Sequence, residues 1–185
     1  MKSLKLSKPH CLIMIGIPGS GKTTFAQRFS NTFSAPFLNV PNLRAGDSTL
    51  QVAEELLIEF CKTKQTLLYE GLSGSRAERT AVAKLVRSYG YEPLYVWVQT
   101  DPNKAKQRMT KSTSRTPAQM TADEFDDSVA KFTAPNHSEK GIVLSGMHTY
   151  ATQAKSVLKR LSSATSPRPA SVTSRPNLPN RLTIQ

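Results

Sequence analysis

The sequence predicts an α/β protein: a five-stranded, mainly parallel sheet with helices on both faces, followed by a disordered C-terminal tail. Three observations carry that prediction. Apolar runs of strand length alternate with longer segments whose apolar residues recur at helical spacing. The first run, Leu12 to Ile15, meets a glycine-rich turn and then a segment with Phe25, Ala26 and Phe29 on one helical face. From Ser162 onward the chain is rich in Ser, Pro and Arg and has no periodicity. Strands that alternate with helices form parallel sheets, because each crossover helix packs back onto a sheet face.

In chain order, residues 1–9 form a polar lead, expected to be flexible, that ends at Pro9. A single domain over residues 10–161 follows, opened by the first strand and a helix running to about Thr32. Phe37 to Val40, between Pro36 and Pro41, reads as the second strand. After a loop from Asn42 to Asp47, Ser48 and Gln51 have capping-box spacing, and Leu50, Ala53, Leu56, Leu57, Phe60 and Cys61 continue a helix. Thr66 to Tyr69 is the third strand, with Glu70-Gly71 at its carboxyl end. Ser75 and Glu78 form another capping box, opening a helix with Ala81, Val82, Leu85 and Val86 that stops at Gly90.

Leu94 to Val98 is the fourth strand, and Thr100-Asp101-Pro102 places a cap before a proline at the first helical position. Lys111 to Pro117 is basic and aperiodic. Thr121 and Glu124 cap a helix that turns Phe125, Val129 and Phe132 inward and is ended by Pro135. Ile142 to Leu144 gives the fifth strand, Tyr150 to Leu161 the last helix, and residues 162–185 the tail.

The turn after the first strand is Gly16-Ile17-Pro18-Gly19-Ser20-Gly21-Lys22-Thr23, which is G-x-x-x-x-G-K-[ST], the phosphate-binding P-loop of the NTPase fold. Backbone N–H groups can wrap a triphosphate only where side chains are absent and positive φ is open, which selects glycine. The following helix adds unpaired N–H groups and its dipole. Lys22 supplies a point charge between β- and γ-phosphates, and the Thr23 hydroxyl serves Mg²⁺. Gly16, Gly19, Ser20, Gly21, Lys22, Thr23 and Thr24 are therefore the candidate nucleotide-binding residues, with ATP and Mg²⁺ the expected cofactors. In parallel sheets the ligand lies beyond the carboxyl ends of the strands. Gly16 to Thr23, Asn39 to Asp47, Glu70 to Gly74, Thr100 and Ser145 to His148 should converge there.

Phosphoryl transfer also needs an acid near the metal and cations for the phosphate charge. Glu70, after the buried run Leu67-Leu68-Tyr69, is the candidate for holding metal or positioning water. Arg108, Lys111 and Arg115 lie where a lid would close over the phosphates, Arg108 and Arg115 ahead of Lys111. Arg76 and Arg79 are candidates for an anionic substrate.

Composition narrows the class. The 185 residues suit one domain, and no apolar run is long enough to span a bilayer. Cys11 and Cys61 lack metal-ligand or CxxC spacing and read as reduced thiols of a cytoplasmic protein. Of the net charge of +12, Lys2, Lys5, Lys8, Arg168, Arg175 and Arg181 account for six, all in the lead and the tail, so +6 remains for the body. The basic tail reads equally as a weak nucleic-acid contact or as a solubility device. His10, His137 and His148 have no ligand spacing, and Trp97 reads as core.

The stretch IGIPGSGKTTFAQRF, the strand ending in Glu70, the segment SRAER with its helix ending at Tyr89-Gly90-Tyr91, the strand LYVWV and the basic segment after Arg108 together resemble the small P-loop kinases of the phage polynucleotide 5′-hydroxyl kinase type, a group that includes zeta-toxin-like and other small-molecule kinases. The resemblance covers about residues 11 to 161. It implies phosphate, metal and lid roles for Lys22, Thr23, Arg108 and Arg115, and an adenine site near Ser145, Gly146 and His148. In that family an aspartate just after strand two is the general base, followed by an arginine that fixes the substrate. Here the segment departs from that pattern, reading Asn39-Val40-Pro41-Asn42-Leu43-Arg44: Arg44 stands for the arginine, no aspartate precedes it, and Asp47 is the only nearby acid.

The expected function is an ATP- and Mg²⁺-dependent phosphotransferase acting on a hydroxyl of a nucleic acid end, nucleotide or small metabolite, with the acceptor left open. An NTP-hydrolysing switch without acceptor is the alternative that the departure favours. A nucleic-acid-binding module with a vestigial nucleotide site is a third.

Overall fold

A computed structural model describes Leu4 and residues 6–43, 48–110, 120–139 and 141–163. Its strands are β1 (His10–Ile15), β2 (Phe37–Asn39), β3 (Leu67–Glu70), β4 (Glu92–Gln99) and β5 (Gly141–Ser145). The helices are α1 (Lys22–Phe33), α2 (Thr49–Lys62), α3 (Arg76–Ser88), α4 (Pro102–Thr110), α5 (Ala122–Lys131) and α6 (Tyr150–Ser163). The five strands form one sheet in the order β2-β3-β1-β4-β5, with every neighbouring pair parallel.

Both sheet faces are covered, so β1 is apolar without alternation. Cys11, Ile13 and Ile15 point to one side, against Ala53, Leu57 and Cys61 of α2 and Val82, Ala83 and Val86 of α3. Leu12 and Met14 point to the other, against Phe25 and Phe29 of α1 and Val157 and Leu161 of α6. A small third cluster, Ile17, Ala105 and Phe125, fastens α4 and α5 to the loop after β1. Cys11 and Cys61 are buried free thiols, and burial pushes Cys61 up to about 11, which leaves it chemically quiet.

Two of the three capping boxes form: Ser75 with Glu78 at α3, and Thr121 with Glu124 at α5. The one expected at α2 does not. Ser48 has φ −89 and ψ 5 rather than the extended backbone a capping side chain needs, and Gln51 bonds Glu55 instead. Pro93 sits inside β4 without breaking it. Glu92 N–H bonds the Pro9 carbonyl, and β5 pairs with β4 only from Tyr95 onward, so the missing donor falls where β5 has not begun. Of the lead read as flexible, Leu4 and Leu6 pack against the core on the α1 and α6 side. Among the described residues no helix is long and apolar enough to cross a membrane.

Candidate active site

A cleft of about 980 Å³ opens at the carboxyl ends of the strands. Its floor is the loop from Gly16 to Gly21 and the first turn of α1. One end is lined by Phe25, Arg28, His148, Tyr150 and Gln153, and the other by Pro41, Ser73, Ser75, Glu78, Lys131 and Phe132. Of the segments expected to converge, Gly16 to Thr23, Pro41, Glu70 to Gly74, Gly146 and His148 bring residues to its lining, whereas Asn39, Thr100 and Ser145 stand behind it.

The loop takes its shape from glycine. At Gly19, φ is +72 and the backbone runs so close under α4 that a Cβ would meet Met109 at 2.9 Å as well as the Ala105 carbonyl. At Gly16, φ is +147 and a Cβ would lie 2.6 Å from the Val98 carbonyl. Any side chain at either position would force the loop away from its supports. The chain after β4 holds it from behind, Thr100 Oγ1 donating to the Ser20 carbonyl (3.0 Å), and Gly146 N–H ties the chain after β5 to that same segment by donating to the Gln99 carbonyl (2.6 Å). Thr100 and Gly146 thus join the site partly as supports.

Lys22 curls over the loop and donates to the carbonyls of Gly16 (2.8 Å) and Ile17 (2.9 Å). Burial lowers its pKa, and the nearby Glu70 charge partly opposes that. Thr23 Oγ1 donates to Glu70 Oε1 at 2.9 Å. Glu70 ends β3 with only 6 % of its surface exposed, and its Oε2 has no hydrogen-bond partner. Burial raises the Glu70 pKa, against the pull of Lys22 and the Thr23 hydroxyl.

A divalent cation fits these atoms. A hydroxyl and a carboxylate already touch, and the second carboxylate oxygen is buried and unsatisfied. One carboxylate completed by phosphate oxygens and waters is the environment Mg²⁺ favours.

Arg108, exposed at the end of α4, donates to the Gly19 carbonyl at 3.2 Å and approaches Met147 Sδ at 3.3 Å. It therefore stands beside the loop and lines the cleft. Arg115 and Lys111, and likewise Arg44 and Asp47, lie outside the described residues.

Arg79 corrects the sequence reading. It does not face a substrate: its side chain is fully buried, and it is absent from the cleft lining. Nε and Nη2 grip Glu139 bidentately at 2.7 and 3.0 Å, while Nη1 donates to the carbonyls of Ser73 (3.1 Å), Gly74 (3.3 Å) and Thr133 (2.9 Å). Arg76, one turn earlier, is exposed and also lies outside the cleft lining.

The sequence reading passed over Arg28, Tyr150 and Gln153, which line the end nearest His148, and Lys131 at the opposite end. Only their helical phase could have marked them. Ser145 lies just behind the cleft, its carbonyl accepting from Gln153 Nε2 at 2.8 Å.

A family model described as an AAA domain matches residues 12–135. No curated protein matches the chain. Similar solved structures include Chaetomium thermophilum Kti12 in complex with ADP-AlF3, with TM-score 0.65 and 15% identity over 85% of this chain and 100% of that one. A gluconokinase from Sinorhizobium meliloti 1021 gives TM-score 0.63 and 14% identity, over 85% and 94%. The Mycobacterium tuberculosis APS kinase in complex with AMPPNP and APS gives 0.59 and 16%, over 84% and 98%. At these identities the likeness is one of fold, and the fold is that of the small P-loop kinases.

Proposed function

We propose, for a chain that belongs to the AAA domain family, that it is an ATP-dependent phosphotransferase that moves the γ-phosphate to a hydroxyl acceptor. The observation that carries the reading is the contact of Thr23 with the buried Glu70 beside Lys22, on the floor of a cleft that runs on past the phosphate loop. The kinases among its structural neighbours support it.

In this reading the N–H groups of the loop and of the α1 N-terminus hold the phosphates. Lys22 exchanges its two loop carbonyls for phosphate oxygens, which removes a buried charge from a poorly solvating place. Mg²⁺, held at Thr23 and Glu70, would neutralise charge on the β- and γ-oxygens. The end near His148 and Tyr150 takes the base, and the end near Ser73, Ser75 and Lys131 takes the acceptor. Asp47 and Arg44 are proposed as displaced base and substrate arginine, and Arg115 as a second lid cation.

Arg108→Ala is expected to slow turnover about 10- to 100-fold, the value of a charge-assisted hydrogen bond to the transferred group. Because its side chain is exposed, thermal stability should not change. An unchanged rate would remove Arg108 from the site.

Hydrolysis without acceptor is a second reading, favoured by one observation. The acids lining the cleft among the described residues are Glu70 and Glu78, and Glu78 is engaged in its capping box with Ser75 N–H at 2.8 Å. Glu70 would then orient water. The deciding experiment supplies γ-labelled ATP with a panel of 5′-hydroxyl oligonucleotides, nucleosides and sugars. Label transferred to an acceptor, and lost in Lys22→Ala and Asp47→Ala, establishes the kinase. Inorganic phosphate alone, indifferent to acceptors and to Asp47→Ala, establishes the switch.

A further inference from the structure

Glu70 Oε2 is not the only buried oxygen at this end of the sheet without a partner: Asn39 Oδ1 is another. The two residues are paired across β2 and β3, Asn39 opposite Glu70. Residues in register share a face, and the pair two positions earlier sets which one. Phe37 and Leu68 both join the core under α1 and α6. Asn39 and Glu70 therefore point toward α1, whose first turn presents the Thr23 hydroxyl to Glu70.

Both unsatisfied atoms are acceptors. Whatever completes them must bring positive charge or several protons, and Lys22, whose charge acts on Glu70, spends its hydrogen bonds on Gly16 and Ile17 instead. We infer that the Asn39 carboxamide oxygen belongs to the divalent-cation site, as a third protein oxygen beside Thr23 and Glu70 that receives the cation or its bound water. The inference rests on the nucleotide-binding reading above.

The carboxamide has a physical reason. A second carboxylate opposite Glu70 would place two buried like charges on neighbouring strands whenever the site is empty. An amide oxygen offers the same lone pairs without that repulsion. Asn39 thus supports a cation that arrives with the nucleotide rather than one bound permanently.

The test reads linkage, not turnover. Affinity for a fluorescent, non-hydrolysable ATP analogue is measured with the full chain in EDTA and in saturating Mn²⁺, and the ratio reports cation binding. Asn39→Leu is expected to cut that ratio about tenfold, as loss of a supporting metal-site group does. Asn39→Asp should raise it by strengthening the cation's surroundings. The opposed directions keep the inference testable even if the leucine variant fails to fold. Ratios for both variants equal to wild type, with Glu70→Gln losing the Mn²⁺ effect, would overturn the role of Asn39 while leaving the nucleotide site intact. Absence of analogue binding to wild type in either condition would overturn the functional reading itself.

Discussion

Replacing Lys22 by alanine is expected to lower ATP turnover by about 10²- to 10³-fold, the scale on which a preorganised donor at a developing charge contributes. The structure explains why the lysine is preorganised. Its amine is bound by the Gly16 and Ile17 carbonyls of the loop itself, and it is desolvated enough to have a lowered pKa. An anionic ligand restores the charge balance that burial disturbs, so nucleotide affinity should fall with turnover. Fold should not, because Lys22 lies in the first turn of α1, outside both main core clusters. The check is turnover and fluorescent-nucleotide affinity beside a thermal melt. Turnover within a factor of a few of wild type would show that the loop is not the catalytic phosphate site.

Two side chains show why so much of the fold was legible and part of the site was not. The loop motif, the strand-helix alternation and the caps at Ser75 and Thr121 are local, and each is written within a few neighbouring residues. Arg79 is decided by residues far along the chain, since Glu139 is 60 positions away. One local signal was present. Arg79, Val82, Ala83 and Val86 fall on a single helical face, and all are buried, so an arginine in phase with the core was marked as an inward one. Asn39 gave no such signal, because its meaning lies in the cross-strand pairing with Glu70, which depends on β3 lying between β1 and β2. The cap at Ser48 failed for a related reason: spacing specifies the residues, but the backbone angles at Ser48 itself set whether the hydroxyl can reach.

Arg79→Met is expected to destabilise the protein by about 3–5 kcal/mol, the cost of leaving one partner of a buried ion pair alone. For a chain of this size that lowers the melting temperature by roughly 6 to 20 °C. The loss exceeds that of a surface pair because Arg79 is 0% and Glu139 8% exposed in side-chain area, and because the same guanidinium satisfies the Ser73, Gly74 and Thr133 carbonyls. Those bonds, with Thr133 N–H to the Gly74 carbonyl at 2.9 Å, tie the wall of the cleft to the chain leaving α5.

The pair also has a pH signature. The hydrogen bond from Arg79 holds the Glu139 carboxyl below its usual value of 4.5, so its contribution is present above that value and decays as pH falls through the lower folded pKa. Glu139→Gln should therefore weaken the protein most at neutral pH and progressively less in acid. The double variant Arg79→Met/Glu139→Leu should recover part of the loss, since two apolar groups leave no orphaned charge. Denaturant melts at neutral and acidic pH measure all three. A Glu139→Gln variant as stable as wild type at neutral pH would show that the guanidinium is held by the three carbonyls alone.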